Sequence, residues 1–177
     1  MGARTDALRR ELGTTDGVLD PVGWVVVSFP SGEQLDQAVG ALAQAGLGEL
    51  RMHRLTPEEM LEETTVDLEQ AGTLARIGQQ FNLARAQNDL ARQGHHFMFV
   101  HAPSNEQAQA VADAVRGCGA ERAQSYGRFI IEELIQHPGD EAQVGESPAR
   151  GLDAQTPSGE EAERPERHGE GGEGERR

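Results

Sequence analysis

The chain has no lysine; all sixteen of its basic residues are arginine. Schiff-base catalysis and the phosphate-binding P-loop both need a lysine amine, so neither chemistry is open to it. A single cysteine, Cys118, can close no internal disulfide and build no thiolate zinc site. Basic charge is scarce too, with 16 basic against 30 acidic side chains and a net charge of −14. General nucleic-acid binding and attachment to anionic membranes both need a basic footprint, so neither is expected. No run approaches the ~18 consecutive apolar residues of a membrane span. The first twenty residues lack an apolar signal core, and Asp6 stands where a myristoylation motif requires Ser or Thr. A cytoplasmic protein is expected.

What is present divides by composition. Residues 1–20 read as a flexible segment and 21–137 as one folded domain. From Pro138 to the end, the chain is dominated by Gly, Glu, Pro and Arg. Ordering a residue costs about 1–2 kcal/mol of backbone entropy, and this stretch has almost no apolar surface to offset it. Residues 138–177 are therefore expected to be a disordered acidic tail, a solubilising extension more than a docking element.

Within the domain there is an internal duplication. Trp24-Val25-Val26-Val27-Ser28-Phe29-Pro30-Ser31-Gly32-Glu33-Gln34 recurs as Phe97-Met98-Phe99-Val100-His101-Ala102-Pro103-Ser104-Asn105-Glu106-Gln107. At the same offset Ala41 meets Ala114, Leu42 meets Val115, Ala45 meets Cys118 and Gly46 meets Gly119. Each copy predicts a strand, a helix capped by Ser31 or Ser104, a glycine that ends the helix, and a second strand. Those second strands are expected near 49–55 and 122–131. Two βαβ halves make a ferredoxin-like α/β sandwich, a four-stranded antiparallel sheet of order 4-1-3-2 with the first and third strands central.

The usual hairpin between strands two and three is replaced by a long insert, residues 56–93. Thr56-Pro57-Glu58-Glu59 is a helix start, and Leu74, Ile77, Phe81 and Ala84 form an apolar stripe at helical spacing. Gly72 and Gly78 predict a short helix followed by a long one. Strands one and three are apolar at both parities, which requires cover on both faces of the sheet. The repeat helices supply one cover; the insert, from the same chain or a partner, is expected to supply the other. If a partner does so, the chain is a dimer that resists dilution and that Phe81→Glu abolishes.

Candidate sites are few. Gly94-His95-His96-Phe97-Met98-Phe99-Val100 has a faint look of an RNA-recognition strand, but Phe97 and Phe99 read better as core. For a metal, His95 and His101 lie ~20 Å apart along one strand. Only His53 with His95 or His96 offers a cross-strand pair, and two histidines without a third ligand are not a site. No metal and no cofactor is expected, with His53 and His95 as the residual candidates. The two Pro-Ser-x-Glu turns are expected side by side at one end of the sheet, where Glu33 and Glu106 complement the helix dipoles and would repel an anion. Cys118 reads as a small packed residue. Glu58-Glu59, Glu62-Glu63 and Glu132-Glu133 read as solvated faces, and no nucleophile elbow or dinucleotide fingerprint occurs, so no catalytic residue is assigned.

With both halves in view, residues 23–135 resemble small bacterial stress-associated domains of the YflT-like kind. That resemblance implies a non-catalytic bacterial protein and transfers no functional residue. The expected function is a regulatory or protein-interaction domain, homo-oligomeric or bound to another protein through the insert helix. The alternative is a small-molecule or anion sensor with its effector at strand ends or a dimer interface.

Overall fold

Two strands of six residues, β3 (Trp24–Phe29) and β5 (His96–His101), lie side by side and antiparallel in the computed structural model. It describes residues 3–71, 78–128 and 130–138. All of β3 and the four inner residues of β5 are buried. Around them the chain forms a mixed α/β fold with five helices and two antiparallel sheets among the described residues. In chain order the elements are α1 (Ala3–Leu12), β1 (Thr14–Thr15), β2 (Val18–Leu19), β3, α2 (Gly32–Gln44), β4 (Met52–Leu55), α3 (Pro57–Gln70), α4 (Gln79–Arg92), β5, α5 (Asn105–Arg116), β6 (Arg122–Tyr126) and β7 (Ile131–Ile135). The larger sheet runs β4-β5-β3-β6-β7, and β1 and β2 form a small ribbon.

Alternate residues of the central strands enter two cores. Val25, Val27, Phe29, Met98 and Val100 pack with Leu35, Ala38 and Leu42 of α2 and Val111 and Val115 of α5. Trp24, Val26, Phe97 and Phe99 face the other way, against Leu8 and Leu12 of α1, Met60 of α3 and Leu90 of α4. Each large side chain buried in this way contributes roughly 1.5–3 kcal/mol. The insert therefore covers the sheet of its own chain. Phe81 packs within the chain too, beside Val18, Ala71 and Ala84, so the reason for expecting a dimer across the insert falls away.

The helix starts follow from their caps. Ser31 and Ser104 accept hydrogen bonds from the Gln34 and Gln107 amides, and Thr56 forms a reciprocal capping box with Glu59. Gly46 and Gly119 follow α2 and α5 with positive φ.

Several expectations change. Residues 1–20, read as flexible, supply α1 and the ribbon, because Leu8, Leu12, Val18 and Leu19 are apolar and buried. The insert holds two helices of equal length, 14 residues each. Gly78 is the N-cap of the second, and Leu74 and Ile77 lie outside the described residues. The single strand expected over 122–131 is a hairpin, β6 and β7, so the sheet has five strands instead of four. The turn at Gly127, whose N–H donates to the Ile130 carbonyl, reverses the chain there. The tail from residue 139 onward lies outside the described residues. No helix among the described residues is long and apolar enough to cross a membrane.

One buried ion cluster joins the N-terminal segment to the insert. Arg9 donates to Asp67 (2.7 Å), Glu63 (3.3 Å) and the Gly17 carbonyl (2.8 Å), and Asp67 also accepts the Leu19 N–H (3.0 Å). Asp16 and Gly17 both have positive φ, as a tight hairpin turn needs. A Cβ at Gly17 would lie 2.7 Å from the Gln70 carbonyl oxygen, so only glycine lets the ribbon approach α3 this closely. Both carboxylates are 2% exposed. Removing the cation from such a cluster costs about 3 kcal/mol, and Arg9→Ala should lose that much in urea denaturation. Burial holds the Asp67 carboxyl above the usual carboxylate range, against the opposing pull of Arg9 and the Leu19 N–H. As the pH falls from that raised value toward the usual range of about 3.9, the folded state takes up the Asp67 proton before the unfolded state does. The stability of the wild type relative to Asp67→Asn should therefore rise as pH falls through this window. A relative loss there would mean that the Arg9 attraction outweighs burial.

Candidate functional site

At the end of the sheet where β3 finishes, three side chains from distant parts of the sequence converge. The first is His95. Helix α4 ends at Arg92, and Gly94, at φ +90°, turns the chain so that the His95 N–H returns to the Leu90 carbonyl (3.1 Å). The imidazole Nδ1 lies 3.1 Å from the same carbonyl oxygen. A carbonyl only accepts, so Nδ1 carries the proton and Nε2 points away from the helix end.

Nε2 faces the second residue, Glu121, whose Oε2 is 2.7 Å away. Glu121 precedes β6 and is placed by its N–H, which donates to the Ser28 carbonyl at the end of β3 (3.0 Å). The third residue is His137, just beyond β7, with Nε2 3.3 Å from the same Glu121 oxygen. The hairpin register brings this about. Ala123 pairs with Ile135, so two further residues on each strand place Glu121 opposite His137. The ring centres of His95 and His137 are 6.4 Å apart and their planes are inclined at 61°. One ligand atom from each of the three residues lies within 4.8 Å of the other two. His95 is buried, whereas Glu121 and His137 are partly open to solvent.

The cross-strand pair suggested by the sequence is not formed. His53 stands opposite Phe99 in the sheet, and Leu55 already stands opposite Phe97, which leaves His53 well away from His95 and His96. Its Nε2 pairs with Glu11 of α1 (3.1 Å), and its ring lies against Trp24. Arg51 reaches the same Glu11 (3.2 Å) and caps the Trp24 ring, and His101 meets that ring edge-on. This second histidine group holds the outer face of α1 to the sheet. His96 lines a shallow groove near Gly32, Arg54 and Thr56.

The two capped turns do not sit together. β3 and β5 are antiparallel, with Phe29 opposite His96 and Trp24 opposite His101, so Ser31 and Ser104 lie at opposite ends of the sheet. Phe97 and Phe99 are core residues and present no stacking surface. Cys118 is half-buried against the helix-covered core. Of the acid pairs, Glu63 is buried in the Arg9 cluster and Glu133 pairs with Arg122 (3.0 Å).

Glu121 and His137 escaped sequence reading because their meeting depends on a hairpin that was read as one strand. The signal was present in Gly127 and in the apolar Ile131 and Ile135, which mark a turn and a returning strand.

No family model matches the chain, and no curated protein and no solved structure matches it.

The placement of His95 rests on the backbone of Gly94, where a Cβ would meet nothing within 4 Å but φ is +90°. Gly94→Ala should therefore cost about 1 kcal/mol through backbone strain alone. Gly40→Ala, equally unobstructed but inside α2, should stabilise by up to about 1 kcal/mol. Urea denaturation of the two variants separates these signs.

Proposed function

We propose that the chain is a non-catalytic regulatory or protein-interaction domain of the bacterial cytoplasm. In this reading it is built on a ferredoxin-like sheet and related to the YflT-like stress-associated domains that its two halves resemble. The observed strand order supports such a sheet. The four strands of the duplicated halves stand β4-β5-β3-β6, every neighbouring pair antiparallel. β7 is then an addition at the outer edge.

The observation that carries the interaction reading is this edge. Helices of the same chain cover both faces of the sheet, whereas among the described residues β7 ends the strand order and Ile130, beside it, is 72% exposed. A partner strand laid along β7 would extend the sheet and cover Ile130. Glu132 is exposed there and the whole chain carries −14, so charge opposes pairing with a second copy. The partner that fits is an extended basic segment of another protein. A photo-crosslinking residue at position 130 should capture one defined protein in cells, while the same group at Gln109 on α5 should not. Equal labelling from both positions would overturn the reading. A concentration-dependent dimer that Ile130→Arg dissolves would replace the basic partner with a second copy.

The sensor alternative has one observation behind it, the groove at the strand ends formed by Leu35, Arg54, Thr56 and His96. It requires that a metabolite raise the melting temperature. A screen of nucleotides, amino acids and anions without a shift would remove it.

A further inference from the structure

We propose that His95, Glu121 and His137 form a site for one divalent transition-metal ion of the zinc class. Two imidazole nitrogens and a carboxylate oxygen are a common zinc donor set, and three protein ligands leave a fourth position for water or another donor. The ligand atoms are already gathered. The two nearer separations are 2.7 and 3.3 Å, and all three lie within 4.8 Å. Around a tetrahedral ion with bonds of about 2.0–2.1 Å, neighbouring ligand atoms stand ~3.3 Å apart. One separation already has that value and the other is 0.6 Å shorter, so small side-chain rotations suffice. Glu121 and His137, which would make them, are partly exposed.

His95 has the least freedom and the most preparation. Its Nδ1–H is held by the Leu90 carbonyl, which leaves Nε2, the nitrogen that faces Glu121, as the ring atom placed to bind an ion. A metal-bound histidine is characteristically oriented by such a hydrogen bond from its other ring nitrogen. Nitrogen donors favour zinc, copper, nickel or cobalt over magnesium and calcium, which prefer all-oxygen sites. Without an ion, the same three groups can be held by hydrogen bonds to Glu121 alone, and the experiment separates the two. A bound ion would tie the far end of β7 to the starts of β5 and β6. The inference is independent of any partner at the β7 edge.

The test uses the untagged full chain, stripped with a chelator and titrated with Zn²⁺ by calorimetry and with Co²⁺ by visible absorption. One ion per chain is expected, with tetrahedral or five-coordinate cobalt bands and a rise in melting temperature. His137→Ala and Glu121→Gln should each weaken Zn²⁺ binding by about tenfold or more. His53→Ala, at the other histidine–carboxylate pair, should leave it unchanged. Because His95 is buried, the decision rests on the two partly exposed ligands, with their metal-free melting curves as the check on folding. Absence of binding would overturn the proposal, as would folded His137→Ala and Glu121→Gln variants that bind like the wild type. Binding abolished equally by excess Mg²⁺ would also overturn it, since that behaviour belongs to diffuse acidic charge.

Discussion

A sheet whose central strands are apolar at both parities cannot leave a face in water, and this constraint organises the whole domain. β3 and β5 carry Val, Phe, Met and Trp side chains to both sides. One side is closed by α2 and α5, the helices of the duplicated halves. The other would be exposed without α1, α3 and α4. The long insert is therefore the second wall of the core, and the N-terminal helix completes it.

That second wall is more polar than the first. Between α3, α4 and the sheet, Asn88 donates to Thr64 (2.9 Å), and Thr64 in turn donates to the Met60 carbonyl (2.8 Å). Arg92 donates to Asn88 (2.8 Å), and Gln87 donates to the Tyr126 hydroxyl (3.2 Å), whose pKa burial pushes up. Buried polar groups are costly without partners, so the Asn88–Thr64 bond favours one register of α4 on α3, and the Gln87–Tyr126 bond one placement of α4 on the sheet. Ser28 is the exception, with a buried hydroxyl that has no hydrogen-bond partner among the described residues. The Arg9 cluster does for α1 what this network does for α3 and α4. Together they explain how helices of modest apolar content are held in one position on the sheet.

The His95–Glu121–His137 group and the β7 edge share one structural cause, the hairpin that returns the chain after β6. It adds the outermost strand and carries His137 back to the end of the sheet. A regulatory role by partner binding and a metal ion at the strand's end would thus act on the same element from two ends, each with its own physical basis.

The order of strands and helices in the repeats, their serine caps and the helical insert were legible in the sequence, because period, capping spacing and composition are local properties. So was the need for cover on both faces of β3 and β5. Which chain supplies that cover was not legible, since an amphipathic helix looks the same whether it folds back or docks on a partner. The helical N-terminus was hidden because its apolar face is only a few residues, Leu8 and Leu12, and Arg9 looks like a surface charge until Asp67 is placed beside it. The histidines were visible singly, but their partners were not. Register and hairpin closure decide that His53 meets Glu11 and His95 meets Glu121, and these long-range pairings are selected by packing of the whole sheet, which no local spacing encodes.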